Sequence, residues 1–224
     1  MSYGVILLKL LPAQYESEFL DGNLYLNTNA YFGSIDQSDI VRFDPHDGID
    51  DSIHVKSVNI QDNNGTWLPL PISGPISFRS HGSERLNVLC IFTVTDRSGE
   101  SFDERNLAFG DRAVVIRDLK EFIRRVKEAA KPLERLVRHG PIEYVDRETH
   151  SGPMGPFRKF STLAYQNEFR FVFTNGSGHP CRLPIGDIRD IAHGIDAEHV
   201  GKFSEAMRNL QHRMPNSNVK PQES

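Results

Sequence analysis

Residues 88–94 (Val-Leu-Cys-Ile-Phe-Thr-Val) form an apolar run without a single charge. A strand with one wet face alternates apolar and polar residues, whereas a strand covered on both faces reads as a continuous run. This chain is therefore expected to build a sheet around a central strand at 88–94. The strongest companion is Phe169-Arg-Phe-Val-Phe173, ended by Asn175-Gly176 and expected to be buried on both sides.

The flanking segments fill in an α+β order. Residues 5–11 read as a first strand stopped at Pro12, and residues 13–20 as two turns of helix ended by Asp21-Gly22. A short strand follows at 24–27. Residues 33–51 carry six aspartates and little apolar material, which points to a long ordered loop. The alternation over 53–60 gives one strand with a bulge, and Asn63-Asn64-Gly65 turns it back toward Thr66-Trp67-Leu68. Strands are expected at 76–78 and 113–116. Asp118 caps the clearest helix, with Leu119, Phe122, Ile123, Val126 and Ala130 at helical spacing. Residues 136–145 read as a strand pair broken at His139-Gly140-Pro141. A last helix covers 197–212, with Val200, Phe203, Met207 and Leu210 on its apolar face. The expected organisation is one α+β domain over 1–214 with a β-rich core and flanking helices, and a polar, frayed tail at 215–224.

Composition removes several function classes. Lys+Arg 26 against Asp+Glu 30 gives a net charge of −4, so nothing pulls the whole molecule toward nucleic acid or an anionic membrane. Cys90 and Cys181 lie too far apart for a C-x-x-C redox or zinc pattern and are expected as free thiols in a reducing cytoplasm. The apolar start is too short to span a bilayer and is broken by Lys9, so neither a leader nor a membrane anchor is expected. The phosphate-loop, dinucleotide, zinc-protease and nucleophile-elbow motifs do not occur.

Three patterns bear chemistry. Gln166-x-Glu168 sits at the mouth of the 169–173 strand, with Arg170 two residues on; alternation places Gln166, Glu168 and Arg170 on one face. A carboxylate so placed needs partners or carries a shifted pKa, and a structural Glu168–Arg170 pair satisfying a sheet edge is the alternative reading. The acidic stretch Asp44, Asp47, Asp50 and Asp51 suggests a metal loop but lacks the calcium-loop register, and a solvated loop accounts for it equally; with Glu168 these acids would form the Mg²⁺ site of a nuclease. Lys120, Arg124, Arg125, Lys127, Lys131, Arg135 and Arg138 follow the 118 cap and form either a phosphate-facing stripe or an ordinary solvated helix face.

The order Phe19-Leu-Asp-Gly22-Asn-Leu-Tyr25, Tyr31-Phe32, Arg42-Phe-Asp44, residues 109–122 and Glu168-Phe-Arg170 resembles a group of uncharacterised bacterial domains found in mobile and phage-defence contexts. More distantly, the layout resembles the ADP-ribosyltransferase fold. That resemblance implies NAD as substrate and Glu168 as the catalytic carboxylate that stabilises the oxocarbenium-like transition state. It implies Gln166 as the residue orienting the acceptor, and Lys9, Tyr31, Phe32 and Arg42 as cleft residues. Here Lys9 stands where that family carries Arg or His, and Ser77-Phe-Arg-Ser80 is the nearest substitute for its Ser-Thr-Ser strand. The acceptor would be RNA or protein, with an antitoxin or chaperone as a possible partner and no membrane. A non-catalytic nucleic-acid or protein-binding module and a metal-dependent nuclease are the alternatives.

Overall fold

The computed structural model describes residues 6–29, 31, 43–80, 82, 85–94 and 102–213, with side chains to residue 206. Phe32, Arg42 and the tail 215–224 lie outside the described residues. The strands are β1 Ile6–Leu11, β2 Asn23–Thr28, β3 Asp51–Ile53, β4 Val58–Gln61, β5 Trp67–Leu70, β6 Ile76–Phe78 and β7 Asn87–Val94. They continue with β8 Arg112–Ile116, β9 Val137–Pro141, β10 Glu143–Val145, β11 Gly152–Pro153, β12 Arg158–Phe160, β13 Glu168–Phe173, β14 Cys181–Pro184 and β15 Ala192–Asp196. The helices are α1 Glu16–Leu20, α2 Leu119–Ala130 and α3 Val200–Arg213. The mixed, sheet-rich architecture is the expected α+β class. Among the described residues no helix is long and apolar enough to cross a membrane.

The uncharged run becomes β7, the hub of the main sheet. One of its edges pairs with β13 from Asn87↔Phe173 to Phe92↔Glu168. Its other edge is shared: β2 joins at Asn87 and Val88, and β1 joins from Phe92 to Val94. Among the described residues no strand pairs with Leu89, Cys90 and Ile91 on that edge. There β1 leaves to follow β8, and β2 leaves to follow β14. The main sheet is therefore forked at its centre.

Two hydrophobic cores flank the main sheet. Phe169, Phe171 and Phe173 join Leu7, Leu89, Ile91 and Val114 against Phe122, Val126 and Ala130 of α2. On the other face Leu8, Leu10, Val94 and Val115 pack with Ala197 and Val200 at the start of α3. Burying each such side chain is worth about 1.5–3 kcal/mol, so these faces dominate the stability of the domain. The α2 cap is as expected, with Asp118 Oδ1 accepting from Glu121 N at 2.9 Å. Met207 and Leu210 lie where only the backbone is described.

Several boundaries differ from expectation. The 53–60 run splits into β3 and β4, which belong to different sheets because His54–Ser57 leave the ladder. β9 runs through His139-Gly140-Pro141, and the break falls at Ile142. The first helix begins as a 3₁₀ turn at Ala13–Tyr15 before α1.

Gly22 ends α1 with φ +79°, and a Cβ there would sit 1.8 Å from the Gly186 carbonyl oxygen. Gly22→Ala is expected to cost at least about 1–2 kcal/mol from the left-handed backbone alone, before the clash is relieved. A thermal melt of the variant checks this, and an unchanged midpoint would rule it out.

Candidate functional site

The fork opens a cleft of about 690 Å³ between β1, β2 and β7. Its lining includes Lys9, Tyr25, Asn27, Tyr31, Leu89 and Cys90 together with Asp47, Lys159, Gln166 and Glu168. Carbonyl and amide groups freed by a splayed strand need partners. Lys9 supplies one, donating from Nζ to the Cys90 carbonyl at 2.9 Å. Tyr31 stands at the rim, 42% exposed. Lys9, Tyr31, Gln166 and Glu168 thus meet at one cleft, although Lys9 and Glu168 are separated by most of the chain.

Glu168 and Arg170 share a face of β13, as alternation requires. Gln166 does not reach them along the strand. It closes a 3₁₀ turn over Ser161–Gln166, and Asn167 at φ 37° swings the chain into β13. Its amide still arrives beside Glu168, because Lys159 of β12 binds both: Nζ lies 2.9 Å from Gln166 Oε1 and 2.9 Å from Glu168 Oε2.

Arg170 is fully buried and organises the rest. Its Nε donates to Glu168 Oε1 at 2.6 Å. Its two terminal nitrogens clasp Asp47 at 2.9 and 3.0 Å, and Nη1 also reaches the Pro156 carbonyl at 3.1 Å. A guanidinium is the group suited to this geometry, since its planar fork serves two carboxylates at once. The structural Glu168–Arg170 pair is therefore present, not at a sheet edge but on a strand flanked by β7 and β9.

Burial alone would push the Glu168 carboxyl up, but Arg170 and Lys159 beside it outweigh burial and hold it well below the usual carboxylate range. Burial would lower Lys159, and Glu168 with Asp47 outweighs it, keeping the ammonium charged far above neutrality. Burial, with Glu168 adding to it, pushes the Cys90 thiol up to about 12, so it is a neutral neighbour and not a nucleophile at physiological pH.

Asp44 is the exception in the cluster. Burial and then the Asp47 charge push its carboxyl up, against the weaker pull of Lys159 at 3.8 Å. Its Oδ1 accepts from His46 N at 3.0 Å, while Oδ2 has no hydrogen-bond partner among the described residues. A raised carboxyl makes stability fall as pH rises through its titration, because the folded state holds the proton longer. Asp44→Asn keeps the Oδ1 acceptor and removes the charge. It is expected to leave the urea midpoint at pH 7 unchanged or slightly raised, whereas a loss above about 1 kcal/mol would show that the Asp44 charge stabilises the fold.

The acidic stretch is not a carboxylate cage. Asp44, Asp47 and Glu168 converge, but Lys159 and Arg170 already compensate them. Asp50 instead accepts from Ser80 N, and Asp51 lies in β3 opposite Phe78. Part of the basic stretch is paired with acids: Arg124 and Arg125 with Glu121, Arg125 also with Asp190, and Lys131 with Glu128. Arg135 turns inward to Asn87, and Arg138 stacks on Phe157.

Lys159 and Asp47 are the residues whose role the sequence did not disclose. Lys159 sits in Phe157-Arg-Lys-Phe160, where nothing separates it from a surface lysine. Its only signal is position, the second of two adjacent cations flanked by Phe157 and Phe160. Asp47 belonged to the acidic stretch, with no sign that Arg170 would claim it.

No family model, curated protein or solved structure matches this chain.

Proposed function

We propose that this chain transfers ADP-ribose from NAD to an RNA or protein acceptor, with the fork as the NAD cleft and Glu168 as its catalytic carboxylate. The observation that carries this reading is the meeting of Lys9 from the first strand with Glu168 from a late strand, and Gln166 from the turn before it, at a single cleft. Its volume lies within the range of ligand pockets, roughly 300–1,000 Å³. Tyr15, Tyr25 and Tyr31 offer aromatic faces, and Asn23, Asn27 and Asn106 offer amides, a lining that fits a dinucleotide.

Breaking the bond between ribose and nicotinamide develops positive charge on the sugar. A carboxylate fixed in place stabilises that charge without reorganising as it appears. Glu168 suits the role because Arg170 and Lys159 fix both oxygens and keep the group ionised. A carboxylate has about four acceptor sites, and Arg170, Lys159 and the Cys90 thiol take three of them, which leaves one for a ribose hydroxyl. Gln166, held through its Oε1 by Lys159, stands beside Glu168 as the residue that orients the acceptor. Lys9 supplies a cation in the lining of the same cleft. Phe32 and Arg42, proposed as further cleft residues, lie outside the described residues.

Purified protein incubated with NAD labelled in its adenylate and a lysate holding RNA and protein tests the reading, beside a Glu168→Gln control. Label on either polymer that depends on Glu168 supports the transferase and identifies the acceptor class. Absence of both label and nicotinamide release rejects it.

A further inference from the structure

The chain between β3 and β6 extends as a two-stranded arm. β3 pairs with β6 from Asp51↔Phe78 to Ile53↔Ile76, and beyond a break β4 pairs with β5 from Val58↔Leu70 to Gln61↔Trp67. Five steps outward from Ile53 to Val58 face six steps back from Leu70 to Ile76, so the ribbon continues with one extra residue on its return strand. Asp62 closes the tip, its Oδ1 accepting from Asn64 N and Thr66 N, each at 2.8 Å.

The outer part of this arm has almost no cover. Within β4 and β5 only Val58 is even half-buried. Ile60, Trp67, Leu68 and Leu70 are 45%, 65%, 44% and 41% exposed. Alternation and register put Val58, Ile60, Leu68 and Leu70 on one face as two opposed aliphatic pairs. Two-stranded hairpins are marginal in water without a further layer, and an uncharged aliphatic face of this kind needs one.

We propose that this face is the self-association surface of the protein, packing against the same face of a second copy about a two-fold axis. Charge selects the partner. From residue 58 to residue 72 Asp62 at the tip is the only charged side chain, and Lys56 precedes the arm at its base. Cations suited to phosphate or to anionic lipid are absent from the face. A two-fold axis that sets the two β4 strands antiparallel lays Lys56 of each copy toward Asp62 of the other, so the surface complements itself in charge as well as in apolar character. Pro69 and Pro71 lack the N–H groups that strand addition along β5 would need, which favours packing face to face.

The size of the patch sets the strength. At about 3.4 Å per residue the outgoing chain from Ile53 to Asp62 reaches roughly 30 Å, so one face offers on the order of 300 Å². Two such faces bury about half of a small standard interface, and the dimer is expected to be weak, forming in the micromolar range or above.

Sedimentation equilibrium of the full chain from about 5 to about 500 µM tests this. The expected result is a mass rising from 25.4 kDa toward twice that value. Ile60→Asp and Leu68→Asp, which place a charge in an already exposed face and leave the cores untouched, are expected to weaken association at least tenfold. Trp67→Ala, on the opposite face, is expected to leave it unchanged. A monomer throughout the range, or a dimer indifferent to Ile60→Asp, overturns the proposal. So does a monomer that pellets with phosphatidylcholine vesicles through the same residues, which would make lipid the occupant.

Discussion

Arg170→Met is expected to remove about 3–5 kcal/mol of folding free energy at pH 7, a large part of what holds a domain of this size together. The side chain is fully buried, and its loss leaves Asp47 and Glu168 desolvated with only Lys159 between them. The charge, not the volume, is what is lost, since methionine fills a similar space. Urea unfolding followed by far-ultraviolet circular dichroism measures the effect. A loss below about 1 kcal/mol would mean that water replaces the guanidinium, and the site as described would be wrong.

The pH dependence gives the same cluster a second reading. In the native protein Glu168 is held below its ordinary range, so its stabilisation is complete above that range and is lost as pH falls through and beneath it. In Arg170→Met the partner is gone, Glu168 is protonated more readily, and the difference from the parent protein is expected to shrink as pH falls toward 4. A difference that stays constant from pH 7 to 4 would assign the loss to packing instead.

Glu168→Gln is expected to lower NAD turnover by about 10²–10³-fold or more, the scale seen when one fixed electrostatic contact to a transition state is removed. The amide preserves shape and can still accept from Arg170 or Lys159, but it carries no charge to offset the developing cation. The substitution also leaves the two cations facing less negative charge, so some stability is lost with it. Asp44→Asn separates the effects. It alters the same cluster away from the cleft lining and is expected to retain turnover while Glu168→Gln loses it. Equal activity in Glu168→Gln and the parent protein would reject the carboxylate's role, and equal loss in both variants would point to the cluster's integrity rather than to Glu168.

The described positions differ in how much of their role local pattern carried. Residues 88–94 announced a doubly covered strand because no charge interrupts them. Asp118 and the apolar spacing that follows it announced α2, since a helix face and its cap are set by residues within a few positions of one another. Glu168 and Arg170 were readable as one face of a strand, because side chains alternate whatever the strand pairs with. Gln166 was placed correctly in neighbourhood and wrongly in mechanism: a left-handed turn at Asn167, not strand alternation, delivers it. The split of residues 53–60 went unseen because nothing in their alternation marks the point where His54–Ser57 leave the ladder.

Periodicity, capping and the need to bury apolar surface are properties of neighbouring residues, so the sequence by itself determined the α+β class, the central strand and the carboxylate at the mouth of β13. The rest of its cluster was another matter. Lys159 and the Asp47 that Arg170 also holds come from segments outside β13, and the cleft that Glu168 lines exists only because β1 and β2 share one edge of β7. Charges meet across such distances in sequence only when the backbone has closed around them, and desolvation then fixes which pairs must form. The tertiary structure alone decided that the acidic stretch would hold an arginine and a lysine, and that Lys9 would face the cleft.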